Sequence, residues 1–147
     1  MTERRRLSDE NKAIAMRLFD EVLNAHNVAR CDELYAADYV AHSLPPGFSP
    51  DREGAKQYHS HYFQAFPDMH LTVDGMIAEG DWVAAYYTGT GTHQGELIGI
   101  PATGKQVTAS AVLTLRIVDG MIVEDRLDGD KLGLLQQLGA IPSSAQA

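Results

Sequence analysis

The sequence has few of the features that mark secreted, membrane and disulfide-bonded proteins. Its 147 residues include one cysteine, Cys31, so no disulfide can form within the chain. No apolar run approaches the ~20 residues that a membrane-spanning helix needs. The basic residues Arg4, Arg5 and Arg6 precede no apolar segment of the kind found in a secretory signal. These absences together predict a cytoplasmic protein with no membrane partner.

Basic residues are also scarce. The chain has 12 lysines and arginines against 20 aspartates and glutamates, which gives a formal net charge of −8. A protein that binds nucleic acid usually presents a dense basic surface, because neutralising phosphates supplies much of its affinity. The one basic cluster lies in residues 1–8, which we expect to be a flexible terminus, as we do 141–147. Nucleic acid is therefore not an expected partner.

Apolar periodicity divides the chain into a helical first half and a strand-rich second half. Three helices are predicted first: Ser8 (cap) to Asn27, Cys31–Ala37, and Ser49 (cap) to a stop at Pro67. Four strands and a short helix follow: Met69–Glu79, Trp82–His93, Lys105–Val118, Met121–Asp128 and Asp130–Leu138. This order indicates one α+β domain, 1–147, with the N-terminal helices packed on a curved antiparallel sheet and a short C-terminal helix.

Several patterns resemble functional motifs but have the wrong spacing. The glycine-rich segment 89–95 lacks the dinucleotide-binding spacing and lies along a predicted strand instead of opening a helix. Gln106 follows Lys105 where a phosphate-binding loop has serine or threonine. His59 and His61 are two residues apart on a helix, so their side chains point to different faces. With no second cysteine to assist, we predict no metal site.

One carboxylate falls on an apolar strand face. In the predicted strand 121–128, alternation places Asp125 on one face with Met121, Val123 and Leu127, and Ile122 on the other with Glu124, Arg126 and Asp128. Burial disfavours the ionised form of a carboxyl group and raises its pKa. Such a group can remove a proton next to a carbonyl or donate one to an oxygen. Asp125 is thus the predicted acid–base residue; the alternative is a structural carboxylate satisfied by hydrogen bonds.

Further candidate residues are assigned around Asp125. His42 is predicted to lie at the mouth of a pocket as a proton partner of Asp125, or else to be an ordinary hydrogen-bonded loop residue. Tyr58, Tyr62 and Tyr87 can direct hydroxyl groups into the pocket or simply pack in the core. We therefore expect a small, mostly apolar pocket with a few polar groups.

Five sets of residues between about 10 and 140 are typical of one family: Ala65–Asp68, Ile77–Asp81, Gly91–Glu96 with Gly99–Lys105, Arg116–Glu124, and Asp130 with Gly133–Gly139. Together they resemble the SnoaL-like polyketide cyclase (ester cyclase) family of the nuclear-transport-factor-2-like (NTF2-like) superfamily. The resemblance implies an α+β cone with a pocket between the sheet and the helices, and a homodimer packed through the sheet. It also implies an intramolecular aldol cyclisation without cofactor or metal, in which an aspartate of the last strand removes a proton from carbon.

The sequence departs from the family pattern at the expected site. In an ungapped match the cyclase aspartate falls on Leu127, two residues beyond Asp125 and on the same strand face. Ala111 and Leu113 stand where the cyclases of aromatic polyketides carry glutamine and histidine. Ala111, Leu113 and Leu127 are therefore expected to form an apolar pocket wall.

Three functions remain open at this point. The first is a cofactor-free cyclase, isomerase or lyase that acts on a small hydrophobic carbonyl compound, with Asp125 as its acid–base group. The second is a homodimeric domain that binds an apolar ligand without reacting it. The third is an epoxide-opening enzyme similar to limonene-epoxide-hydrolase-like cones. It would need an aspartate–arginine pair on the inward strand face, where the sequence places none.

Overall fold

The computed structural model describes residues 2–142 and confirms the α+β fold class. The helices of this part of the chain are α1 (Glu3–Arg17), α2 (Cys31–Leu34), α3 (Arg52–Ala65) and α4 (Lys131–Gln137). The strands are β1 (Tyr35–Ala41), β2 (His70–Glu79), β3 (Trp82–Thr92), β4 (Gln106–Val118) and β5 (Met121–Gly129). A π-helical segment, Leu18–Leu23, continues α1, and a 3-10 turn, Val28–Arg30, precedes α2. No helix within residues 2–142 is long and apolar enough to cross a membrane.

The strands form one mixed sheet in the order β1-β5-β4-β3-β2. All neighbouring pairs are antiparallel except β1 and β5, which run parallel. Strand β1 is absent from the sequence prediction, which extends a helix to Ala37. That prediction is wrong because Val40 and Ala41 pair with Glu124 and Asp125 of β5. Such distant pairing overrides a weak local helical pattern.

Two helices begin at residues other than those predicted. The Thr2 side chain, not that of Ser8, caps α1 by accepting a hydrogen bond from the Arg5 N–H at 3.2 Å. Residues 3–8, assigned from the sequence to a flexible terminus, are therefore helical. In α3 the cap is the Asp51 carboxylate, which accepts the Gly54 N–H at 2.9 Å. Most of the expected C-terminal tail, 143–147, lies outside the described residues.

Two apolar clusters hold the helices to the inward face of the sheet. In the larger cluster the fully buried residues Leu18, Phe19 and Val22 pack with strand residues, among them Val83, Leu115 and Ile117. Full burial of each such side chain contributes about 1.5–3 kcal/mol relative to exposure. The smaller cluster lies between α3, β4 and α4 and contains Phe66, Val107 and Leu134. Residues of both clusters line the cavity described below.

The β4–β5 hairpin fixes the direction of Asp125. Asp119 and Gly120 have φ of 51° and 79°, as expected for the predicted tight turn. After this turn a β-bulge leaves Val123 unpaired, because Ile117 pairs with Ile122 whereas Arg116 pairs with Glu124. The bulge turns Ile122 inward, so the predicted grouping of Met121 with Asp125 is wrong. Beyond the bulge Asp125 is paired with Leu115 and lies on the inward face, as predicted.

Candidate active site

A cavity of about 210 Å³ lies between α3, the inward face of the sheet and α4. Ring-bearing side chains make up much of its wall: Tyr58, His59, Tyr62, Phe63, Phe66 and Tyr87. Leu71, Leu127 and Leu134 supply aliphatic surface. A wall of this kind favours a planar, mostly apolar ligand, because flat rings pack against aromatic side chains and an apolar wall offers water few hydrogen bonds.

The structure places four of the predicted pocket residues in this wall: Tyr58, Tyr62, Tyr87 and Leu127. It does not place Ala111 and Leu113 there. Leu113 is paired with Leu127 but is 8% exposed and belongs to the main core. The wall at this point is formed instead by Ala109 of β4 and Gly129 of β5. The cavity therefore lies closer to the start of β4 than the sequence match predicts.

The cavity tyrosines are held as protonated phenols. Burial raises the pKa values of Tyr58 and Tyr62 above the ordinary value of a phenol. It raises the pKa of Tyr87 to about 12. The centroids of the Tyr58 and Tyr62 rings lie 5.1 Å apart. Tyr87 packs edge-on against Phe19 at 5.3 Å. These phenols can offer hydrogen bonds to a ligand but cannot act as bases near neutral pH.

Asp125 is a partly buried carboxylate. Desolvation is the largest influence on it and raises its pKa from the ordinary 3.8 to about 6. A side-chain hydrogen bond from Tyr39 and the charge of His42 act in the opposite direction and only partly offset the desolvation. The group therefore exchanges a proton close to neutral pH. Asp125 is not among the residues that line the cavity. Leu127, two residues later on the same face of β5, does line it.

Three further side chains connect Asp125 with the cavity wall. Tyr39 interacts with the carboxylate, and its ring lies 4.4 Å from the ring of Tyr35. The hydroxyl of Tyr35, a fully buried residue, lies 3.2 Å from Nε2 of His59. His59 in turn lines the cavity. We refer to Asp125, Tyr39, Tyr35 and His59 as the Asp125 cluster.

The structure places the His42 side chain on the opposite face of β5 from Asp125. Its Nε2 lies 3.0 Å from Oε1 of Glu124, and the other carboxylate oxygen, Oε2, accepts a hydrogen bond from Arg116 Nε at 2.6 Å. Only the backbone of His42 meets Asp125, donating its N–H to the Asp125 carbonyl at 3.1 Å. The predicted hydrogen bond between the two side chains is therefore absent. The physical reason is strand alternation: Glu124 and Asp125 point to opposite faces, and the His42 ring follows Glu124.

Polar groups near α4 complete the cavity. Ser43, Asp130 and Lys131 contribute to its lining. The Ser43 hydroxyl accepts the Leu127 N–H at 2.9 Å, which fixes the loop after β1 against β5. Asp130 caps α4, as predicted, by accepting the Gly133 N–H at 2.9 Å. The end of the last strand and the start of the loop after β1 therefore meet at this part of the wall.

Three members of the Asp125 cluster are not among the candidate site residues that the sequence indicates. Tyr35 and Tyr39 fall in a predicted helix and the segment after it, because the local pattern does not predict β1. For His59 the sequence suggests only a metal pair with His61, which packs instead beside Phe48 with ring centroids 6.3 Å apart. Within residues 2–142 no three histidine, cysteine or acidic side chains converge as metal ligands. The sequence feature that indicates His59 as a pocket residue is its position one residue after Tyr58, on the helix that carries the predicted pocket face.

Comparison with known proteins agrees with this geometry. Residues 13–138 match the family described as SnoaL-like polyketide cyclase. The chain is 31% identical over 130 residues to aklanonic acid methyl ester cyclase DauD of Streptomyces sp. strain C5, which covers 83% of this chain and 80% of that protein. A SnoaL-like protein of Jannaschia sp. CCS1 superimposes with a TM-score of 0.84 at 25% identity, covering 97% of this chain and 100% of that one. IdmH of Streptomyces antibioticus superimposes with a TM-score of 0.76 at 33% identity, covering 88% of this chain and 98% of that one.

Proposed function

The chain belongs to the SnoaL-like polyketide cyclase family, and we propose that it is a cofactor-free enzyme acting on a small, hydrophobic, polyketide-like carbonyl compound. The observation that carries the proposal is the inward-facing carboxylate of Asp125, whose pKa of about 6 suits proton transfer near neutral pH. The aromatic cavity next to it supports a planar ligand. A polyketide methyl ester cyclase among the relatives supports this class of substrate.

The proposed reaction is an intramolecular condensation with acid–base help from one residue. The ionised Asp125 removes a proton from a carbon next to a carbonyl group, and the electron pair of that C–H bond forms an enolate. The enolate carbon then attacks a second carbonyl carbon of the same molecule, and the alkoxide formed takes the proton back from Asp125. No external oxidant or reductant is needed. If no second carbonyl is present, the same proton transfer results in isomerisation.

A specific observation favours a second function, binding without reaction. Asp125 is not among the residues that line the cavity, whereas Leu127, two residues further along the same face of β5, is. A substrate must therefore extend beyond Leu127, or displace its side chain, to meet the carboxylate. If neither happens, the domain is a ligand-binding module with the same apolar preference.

The two functions are separated by hydrogen exchange at an enolisable carbon. The probe is 2-tetralone, a bicyclic ketone whose benzylic α-proton is replaced by deuterium when a base removes it in D₂O. We expect the protein to accelerate this exchange above the buffer rate, as followed by proton NMR. Asp125→Asn should abolish at least nine-tenths of the acceleration, since the loss of a general base typically costs 10²–10⁴-fold.

Asp128→Asn is the matched control, because Asp128 lies on the same strand but is exposed and faces outward, paired with Val112. It should retain the acceleration. Saturable binding of 2-tetralone with exchange at the buffer rate would instead support the binding module. Equal acceleration by the wild type and Asp125→Asn would exclude Asp125 as the base.

We also propose a homodimer that packs through the outward face of the sheet. Four large apolar residues on this face are exposed by 37–67%: Ile77, Trp82, Tyr86 and Val112. Tyr86 and Val112 are cross-strand partners at its centre. The charged residues Arg116 and Glu124 on the same face pair with each other. A second copy of this face is therefore a suitable partner, since its centre is apolar and the charges of Arg116 and Glu124 neutralise each other.

The dimer is tested by measuring mass in solution. We expect the wild type to sediment as a dimer at micromolar concentration and Tyr86→Lys to sediment as a monomer, because a charge would then be buried at the interface. Ile98→Lys is the control, since Ile98 is 50% exposed but lies in the loop between β3 and β4. A monomeric wild type would refute the proposal.

A further inference from the structure

His59 is the member of the Asp125 cluster that meets both the cavity and a buried polar group. It lies on α3 between the aromatic rings of the cavity wall, with Tyr58 at 6.1 Å and Phe63 at 6.5 Å between ring centroids. On its other side Nε2 contacts the Tyr35 hydroxyl at 3.2 Å. The proton-transfer scheme proposed above does not use this imidazole.

The contact with Tyr35 determines which nitrogen of His59 carries the proton. Tyr35 is fully buried, and within residues 2–142 its hydroxyl has His59 as its hydrogen-bonding partner. A buried O–H that donated to nothing would cost about 1–3 kcal/mol, so Tyr35 donates and Nε2 accepts. The ring proton is then on Nδ1. Burial also lowers the pKa of His59 to about 4, which keeps the ring neutral at physiological pH.

We propose that His59, fixed in its Nδ1–H form by Tyr35, is the donor that anchors a carbonyl oxygen of the ligand in the cavity. Tyr35 is then a positioning residue, which acts through His59. This inference rests on the proposed ligand cavity and specifies its chemistry: the site prefers planar carbonyl compounds over hydrocarbons of the same shape. In the proposed reaction the same N–H would stabilise the enolate oxygen while Asp125 holds the proton.

A neutral donor suits this cavity wall better than a cation, for a physical reason. A cationic group in so apolar a wall would require its own counter-charge, whereas a neutral imidazole with one nitrogen already satisfied needs only one more partner. Tyr62 and Tyr87 also carry hydroxyl groups in the wall. Among the residues that the structure describes, the hydroxyl groups of Tyr62 and Tyr87 have no hydrogen-bonding partner on a second element, whereas the His59 ring contacts the Tyr35 hydroxyl. His59 is therefore better preorganised to receive a carbonyl group.

The test compares two probes of equal shape, 2-tetralone and tetralin, which differ by the carbonyl oxygen. In His59→Phe we expect the Kd of 2-tetralone to rise about tenfold relative to that of tetralin, which corresponds to about 1.4 kcal/mol. An unchanged Kd for tetralin shows that the variant is folded with its cavity intact. His61→Phe is the matched control, because His61 lies on the same helix but is not among the residues that line the cavity, and it should leave the ratio of the two constants unchanged.

Nitrogen-15 NMR of the imidazole supplies a readout that a merely structural role would not move. We expect His59 in the wild type to be protonated at Nδ1 and not at Nε2, and Tyr35→Phe to shift the ring toward a mixture of both tautomers. Tyr35→Phe should also reduce the preference for 2-tetralone.

An Nε2–H tautomer in the wild type would overturn the inference. So would a ketone preference that is lost in Tyr87→Phe but kept in His59→Phe. If 2-tetralone exchange depends on Asp125 but the ratio of the two Kd values is unchanged in His59→Phe, the role of His59 is overturned and the proposed function stands. Failure of the wild type to bind either probe would overturn the proposed cavity together with it.

Discussion

Replacing Asp125 by asparagine should stabilise the fold at neutral and alkaline pH. The carboxyl group has an ordinary pKa of 3.8 and a folded-state pKa of about 6, raised by desolvation. One pKa unit corresponds to about 1.4 kcal/mol, so a fully ionised Asp125 costs the folded state up to about 3 kcal/mol. Asparagine has nearly the same shape, can still accept the Tyr39 hydroxyl, and carries no charge to desolvate.

The sign of this effect follows from proton linkage. Below pH 3.8 the carboxyl group is protonated in both the folded and the unfolded chain, and the cost is absent. Between that pH and about 6 the unfolded chain releases its proton while the folded one retains it, and the cost grows. Above about pH 7 the full cost is present. Asp125→Asn should therefore match the wild type near pH 3 and exceed it by about 1–3 kcal/mol at pH 8.

Urea denaturation at a series of pH values measures this difference. Taking the difference between the variant and the wild type cancels every other titrating group. Asp128→Asn is the matched control, because Asp128 lies on the same strand but is exposed and on the outward face. A pH-independent difference for Asp125→Asn, or a wild type that is more stable than the variant at pH 8, would refute the assignment of a desolvated carboxylate.

Three further predictions concern the scaffold. Asn24→Ala should lower the free energy of unfolding by about 1–3 kcal/mol in urea, because its amide bonds the N–H and carbonyl of Leu71 at 2.7 and 2.9 Å; no loss would contradict this. Burial raises the pKa of the Cys31 thiol to about 12, so iodoacetamide should label it only after unfolding, and rapid native labelling would be contrary evidence. Hydrogen bonds from Arg17 and then Arg30 lower the pKa of Glu21 to about 2, so Glu21→Gln should destabilise at pH 7 and progressively less as pH falls toward 2.

The parts of the fold that sequence predicts well are those with strong local signals. Strands β2 to β5 and the turn at Asp119-Gly120 follow from alternation and from residues that tolerate positive φ. Strand β1 has only weak signals, because Tyr35–Ala41 contains three alanines and an aspartate. It is extended because it pairs with β5, more than eighty residues later along the chain. Local pattern cannot contain that information.

The same distinction applies to the site. The inward direction of Asp125 follows from strand period alone, since the bulge lies before it and leaves the alternation from Glu124 onward intact. The direction of His42 depends on the pairing of β1 with β5, which the local sequence pattern does not encode. The sequence can in principle predict His59 as a site residue, because it shares α3 with Tyr58 and Tyr62. Its contact with Tyr35 nevertheless requires the packing of α3 on β1, which no sequence period encodes.

The measurement that tests the central claim most directly is the pH dependence of 2-tetralone exchange. With Asp125 as the base, the accelerated rate should rise with pH through one ionisation centred near the folded-state pKa of about 6 and level off above it. Asp125→Asn should remain at the buffer rate across the whole range. A wild-type profile with no ionisation near pH 6, or an Asp125→Asn profile that follows the wild type, would contradict Asp125 acid–base catalysis.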